Sequence, residues 1–209
     1  MLAIIDYGSG NIRSVQRALI KAGAKDIIIS NDPQIISNAN FLLLPGVGAY
    51  KQCMEGILAI DGLLQALNEN VLQKGAQFLG ICVGMQLISQ SGIEFGQTDG
   101  LGWIEGEVTK LNPQNHDLKI PHMGWDSVTP VANKYFEKAW NNKPQDVYFA
   151  NSYAFRTKNN QDIAATCQYG ADNFVAAVQK DNILGLQFHP EKSQLAGIKM
   201  LEAWLKNND

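Results

Sequence analysis

The stretch that most restricts how this chain can fold is Phe78-Leu79-Gly80-Ile81-Cys82-Val83-Gly84-Met85-Gln86-Leu87, an apolar run that passes at Cys82 into a helical pattern. A strand that turns directly into a helix needs a sharp backbone bend. Glycines two residues to either side of Cys82 relieve the crowding at such a bend. The same order of elements recurs on the N-terminal side. Residues 2–6 read as a strand ending in the turn Tyr7-Gly8-Ser9-Gly10-Asn11, and from Ile12 a helix follows with Val15, Ala18, Leu19 and Ala22 on one face before Gly23. Residues 27–29 and 41–44 read as further strands and 63–72 as a helix leading into the strand 78–81. Strands alternating with helices imply right-handed crossovers and a parallel sheet, so the fold class is α/β.

After Gly92 the pattern changes to β-favouring segments at 103–111, 125–128, 147–155, 163–168, 174–179 and 183–188, some of them expected to be antiparallel. The chain closes with Ser193 as the expected N-cap of a helix whose Leu195, Ile198, Leu201 and Leu205 would form one apolar stripe. No repeat or linker divides the sequence, and 209 residues suit one domain, 1–209, better than two.

Composition narrows the classes of function. Hydrophobic residues at 45% and charged residues at 18% give a globular balance with no membrane-spanning run. A net charge of −3 without a basic cluster removes the main electrostatic drive for nucleic-acid binding. The first residues lack a basic leader, and Cys53, Cys82 and Cys167 are too far apart for a zinc or redox pair. A reduced, cytoplasmic setting is the simplest expectation.

Three segments carry chemistry. Cys82, at a helix start, would have unpaired N–H groups and the helix dipole to stabilise a nucleophilic thiolate. On its own, Gly-x-Cys-x-Gly fits a buried structural cysteine equally well. His189-Pro190-Glu191 follows the strand 183–188 at the sheet end where open α/β folds place functional groups. If that segment is extended, Glu191 and His189 project to one side, so Glu191 can hold the Nδ1–H of a His189 acting as general base and acid. Without Cys82 the same residues would read as a surface turn. Pro45-Gly46-Val47-Gly48-Ala49 follows the strand 41–44, and its N–H near Val47, with that of Val83, would form an oxyanion hole. A Pro-Gly-x-Gly turn is also a common strand-to-helix connector. His116, in Asn115-His116-Asp117, reads as a solvated loop residue.

Pro45-Gly46-Val47-Gly48, Gly80-Ile81-Cys82-Val83-Gly84-Met85-Gln86 and Gln187-Phe188-His189-Pro190-Glu191, in this order, resemble the class I (triad) glutamine amidotransferases. Asp6-Tyr7-Gly8-Ser9-Gly10-Asn11 and Pro121-His122-Met123-Gly124-Trp125 resemble the glutaminase-subunit branch that serves imidazole glycerol phosphate synthesis, so the likeness spans essentially the whole chain. The resemblance implies a flavodoxin-like α/β sandwich and a Cys82, His189, Glu191 triad that hydrolyses glutamine through a thioester. It implies ammonia transfer to a cyclase subunit, a β/α barrel, as heterodimer partner in histidine biosynthesis, and neither metal nor organic cofactor. By the same carry-over Val47 and Val83 supply oxyanion N–H groups and Gly48 and Gln86 bind glutamine. Asn11, Pro121, His122, Met123 and Trp125 lie near the partner interface or the site mouth, although Pro121 to Trp125 would equally make a packed turn. The chain departs from the family pattern at Asn151, where histidine is usual, and at Asp126, where asparagine is usual. Those departures keep open a paralogue that feeds ammonia to a sugar amidotransferase in surface-polysaccharide synthesis. A subunit that keeps the fold but has lost its chemistry is the alternative of another class.

Overall fold

In the computed structural model, which describes residues 1–115, 117–131 and 133–206, the elements follow in the order β1 (Leu2–Ile5), α1 (Ile12–Lys21), β2 (Ile27–Ser30), α2 (Pro33–Ser37), β3 (Phe41–Gly46), α3 (Tyr50–Leu58), α4 (Leu63–Asn68), β4 (Gln77–Cys82) and α5 (Val83–Gln86). There follow β5 (Ser91–Gly92), β6 (Thr98–Asp99), β7 (Gly106–Lys110), β8 (His122–Pro130), α6 (Lys134–Trp140), β9 (Gln145–Asn151), β10 (Tyr153–Thr157), β11 (Ile163–Tyr169), β12 (Asp172–Lys180), β13 (Ile183–Leu186) and α7 (Gln194–Leu205). His116, expected as a solvated loop residue, lies outside the described residues.

Among the described residues, one sheet runs β2-β1-β3-β4-β13-β12-β11-β8-β9. The strands β2, β1, β3, β4 and β13 are mutually parallel, and antiparallel pairing begins at β12 and continues outward. A smaller sheet, β10-β7-β5-β6, covers one side. Among the parallel strands, β1 and β13 are apolar and buried at every residue, as expected of strands covered by helices on both faces. The α1 helix buries Val15, Ala18 and Leu19, the face anticipated from its spacing. The mixed α/β architecture, parallel in its N-terminal half and antiparallel beyond, agrees with the sequence expectation.

Several boundaries differ, for identifiable reasons. The run 147–155 is two strands in two sheets, because the chain breaks pairing at Ser152 and crosses from β9 to β10. The helix expected over 63–72 is α-helical only to Asn68, and Glu69–Gln73 is π-helical. There the buried Asn70 amide donates to Ile36 O and Ala39 O at 2.7 and 2.8 Å, tying the widened turn to the end of α2. The apolar stripe expected on α7 is also rotated. Leu195 is 65% exposed, and the helix buries Gly197, Met200, Leu201, Ala203 and Trp204. Gly197 sets that face: a Cβ there would lie 1.9 Å from Pro190 O, so the backbone, not a leucine row, makes the close contact. Ser193 occupies the N-cap position but makes no capping hydrogen bond.

Candidate active site

The three chemistry-bearing segments leave the C-terminal ends of three neighbouring parallel strands, β3, β4 and β13. Gly46 pairs in register with Cys82, and Leu186 pairs with Ile81, so strand pairing by itself brings the loop after β3, the nucleophile candidate and His189 to one edge. Cys82 has φ 54° and ψ −112°, a conformation that L-residues seldom adopt and that the surroundings must enforce. Its flanking glycines are required by close packing. A Cβ on Gly84 would lie 2.0 Å from Leu44 O, and one on Gly80 would lie 2.5 Å from Gly84 O.

His189 and Glu191 are joined by Nδ1 to Oε1 at 2.9 Å, with side chains 3% and 1% exposed. The extended geometry expected between them is not what holds them. Pro190–Lys192 is a single turn of 3-10 helix, and it folds the carboxylate back under the imidazole. Ser193 secures this turn: its Oγ donates to His189 O at 2.7 Å and accepts from Tyr148 N at 2.9 Å, while His189 N donates to Tyr148 O at 2.9 Å. Burial by itself pulls the His189 imidazole down. Hydrogen bonding to Cys82 and Glu191, together with their charge, outweighs that and pushes it up to about 10. Gln187 Nε2 donates to Cys82 Sγ at 3.7 Å, and Gln86 Nε2 donates to Gln187 Oε1 at 3.0 Å.

A cavity of about 240 Å³ opens over Cys82 and His189, lined also by Val47, Gly48, Val83 and Gln86. Glu94, Pro121, Asn151, Tyr153 and Lys192 are also in its lining. The expected loop donor is engaged in this structure: Val47 N donates to Ser9 Oγ at 3.4 Å, and Ser9 Oγ donates to Val47 O at 2.6 Å. Cys53 lies beneath the same peptide, its Sγ 3.4 Å from Ser9 Oγ and 3.6 Å from Val47 O. Tyr7 OH donates to Pro45 O at 2.7 Å. The first loop thus supports the second, while Asn11 at its end is exposed.

Met123 and Trp125 are 66% and 48% exposed on β8, and Pro121 beside them is exposed at the cavity mouth. His122 is not at a surface, contrary to its grouping with them. Strand alternation turns it inward, where its ring stacks on Tyr169 and Phe149 with centroids 4.1 and 5.0 Å apart. Its Nε2 lies 3.4 Å from Asp126 Oδ2; burial holds the imidazole below its ordinary range, and Asp126 offsets part of that. Sequence reasoning did not single out Glu94, Lys192 or Gln187. Glu94 sits in an irregular loop, where its Oε2 accepts from Tyr50 N at 2.8 Å. Lys192 directly follows the His-Pro-Glu segment and Gln187 opens the motif quoted around it, and that adjacency was the available signal.

The sequence matches the Glutamine amidotransferase class-I family over residues 3–207, and the chain belongs to that family. It is 44% identical to the imidazole glycerol phosphate synthase subunit HisH of Caulobacter vibrioides, over 98% of this chain and 97% of that one. It is 42% identical to the subunit of the same name from Zymomonas mobilis, over 99% and 96%. Its fold is similar to that of a crystallised glutamine amidotransferase, with a TM-score of 0.72 at 15% identity over 98% of this chain and 99% of that one. PurLQS from Thermotoga maritima superposes with a TM-score of 0.74 at 19% identity, over 100% of this chain and 98% of that one.

Proposed function

We propose that residues 1–209 form one amidotransferase domain that hydrolyses glutamine to glutamate and ammonia and passes the ammonia to a cyclase subunit making imidazole glycerol phosphate. The observation that carries this reading is the meeting of Cys82, His189 and Glu191 at the ends of neighbouring strands, over a cavity that also holds a carboxylate, Glu94. The Cys82 thiolate adds to the side-chain amide carbon of glutamine, and the oxyanion takes a hydrogen bond from Val83 N at the start of α5. The His189 imidazolium gives its proton to the departing ammonia, leaving a γ-glutamyl thioester. His189 then takes a proton from water as that water attacks the thioester, and glutamate leaves with Cys82 restored. Glu191 fixes the ring and stabilises its charged form.

Glu94 is suited to the α-ammonium of glutamine, and Gly48 and Gln86 to its polar atoms. The Val47 N–H becomes a second oxyanion donor once released by Ser9. Met123, Trp125, Pro121 and Asn11 are exposed and so suited to a partner surface, and the two relatives are named as subunits of imidazole glycerol phosphate synthase, which supports a partner of that kind. The test is glutamate release from glutamine by the chain alone and with a matching cyclase subunit and its ribulosyl substrate. Stimulation that is lost in Cys82→Ala, with an unchanged melt, supports the reading. Undiminished turnover in that variant rejects Cys82 as nucleophile, and no stimulation by a competent cyclase rejects the assigned partner.

A further inference from the structure

Buried polar groups run from the exposed strand β8 to the nucleophile with one break. At the inner end, Gln187 Nε2 donates to Cys82 Sγ at 3.7 Å and Gln86 Nε2 donates to Gln187 Oε1 at 3.0 Å. Gln86 Nε2 also donates to Tyr153 O at 2.9 Å, and Asn151 Nδ2 donates to that same carbonyl at 3.1 Å. At the outer end Asp126 meets His122 Nε2 at 3.4 Å. His122 and Asn151 face each other directly across β8 and β9 and are 4% and 5% exposed. Residues so placed have Cβ atoms roughly 4.5–5.5 Å apart. His122 Nδ1 and Asn151 Oδ1 are both buried and unpartnered.

The donor count decides what fits the break. An imidazole that donates Nε2–H to Asp126 presents Nδ1 as an acceptor. An amide whose Nδ2 donates to Tyr153 presents Oδ1, also an acceptor. Two acceptors cannot bond to one another, whereas a water offers two O–H donors and satisfies both. Such a water fixes which end of the Asn151 amide faces Tyr153. Gln86 shares that carbonyl and occupies Gln187 Oε1, so Gln187 has only its N–H to offer the sulfur.

We propose that one buried water joins His122 Nδ1 to Asn151 Oδ1, and that His122 and Asp126 are positioning residues that set the reactivity of Cys82 through the relay this water completes. Asp126 and Asn151 stand at either side of His122 in this relay. Asp126 is half-buried on the strand that exposes Met123 and Trp125, so a partner covering that strand acts at the outer end.

The proposal rests on the glutaminase reading only for its turnover readouts, because alkylation of Cys82 by iodoacetamide needs no substrate. With Cys82→Ala as blank, Asp126→Asn and His122→Gln each change the alkylation rate by about threefold or more. The double variant changes it no further than His122→Gln alone. His122→Asn, whose amide reaches the Nδ1 position, restores part of the rate. In glutamine hydrolysis the two single variants move kcat while KM stays within about twofold, as expected of groups that do not touch substrate. Additive effects of Asp126→Asn and His122→Gln overturn the relay, as does an Asp126→Asn rate within about twofold of the parent. If His122→Gln fails to fold, Asp126→Asn alone decides. A high-resolution crystal structure without a water bridging the two atoms also overturns it. Failure of glutamine hydrolysis with the alkylation pattern intact rejects the glutaminase reading and leaves the relay standing.

Discussion

Replacing Ser193 by alanine tests whether this residue acts as a tether of His189 or as a helix cap. The hydroxyl is buried and makes two hydrogen bonds to backbone, donating to His189 O and accepting from Tyr148 N. Its removal leaves the Tyr148 N–H without that acceptor in a part-buried site, at about 1–3 kcal/mol, and forfeits the bond to His189 O, a further ~0.5–1.5 kcal/mol. The expected loss is therefore about 1.5–4.5 kcal/mol, or roughly 3–18 °C in Tm for a chain of this length. Catalysis should fall as well, because a displacement near 1 Å of a catalytic group costs on the order of 10²-fold. Urea unfolding monitored by circular dichroism reads the first quantity, and glutamate release with the partner reads the second. Ser193→Asn separates the two roles, since asparagine is a good N-cap but does not reproduce the hydroxyl between His189 and Tyr148. Full recovery of stability and turnover in Ser193→Asn, or a loss under about 0.5 kcal/mol in Ser193→Ala, would refute the tether.

Ser9→Ala removes the group that occupies the Val47 N–H, and glutamine hydrolysis without a partner should rise, bounded by the about 10²–10³ that one oxyanion donor contributes; a fall would show that Ser9 holds the productive loop. On α7, Leu201→Ala should cost about 2–5 kcal/mol in urea unfolding while Leu195→Ser stays within about 0.5 kcal/mol, and a loss at Leu195 comparable to that at Leu201 would restore the stripe drawn from spacing, which holds both. The pH dependence follows from His189, whose value of about 10 in the fold lies above the ordinary 6.5. Its stabilisation is complete below about 6.5 and lost as pH rises through about 10, because the folded state keeps a proton the unfolded chain has released. Urea midpoints should therefore decline in the parent from about pH 6.5 to about 10, and in Glu191→Gln, which loses one of the groups raising His189, the decline should start at the same pH, set by the unfolded chain, but end at lower pH and be smaller.

What was legible in the sequence depended on backbone demands and on alternation. The bend at Cys82 advertised itself through Gly80 and Gly84, and the packing that forbids a Cβ at each explains why only glycine serves there. The strand order after β4 was not legible, because β13 inserts beside β4 by long-range pairing that no local pattern encodes. The break between β9 and β10 carries no proline or glycine; Asn151-Ser152-Tyr153 reads as a continuous strand until tertiary contacts divide it. The α6 helix was missed although Asn133 caps it by accepting from Tyr135 N at 2.9 Å, since its seven residues fall among β-favouring segments. Within the candidate site, motif residues were visible and supporting residues were not. His122 was placed with its strand neighbours, yet alternation sends it to the opposite face. Glu94 enters the cavity from a loop with no pattern, and Gln187 is defined by what it touches.

The insertion of β13 next to β4 also bears on biosynthesis. Cys82 and the neighbour that reaches it from the end of β13, Gln187, are 105 positions apart in the chain, and Gly185 pairs in register with Gly80. A nascent polypeptide emerges N-terminus first, so β1 to β4 and Cys82 leave the ribosome well before the strand that delivers His189. Closing so long a loop is slow, and it comes late. Until it closes, Cys82 has neither His189 nor Glu191 beside it, and on the proposed triad a partly synthesised or truncated chain would release no ammonia.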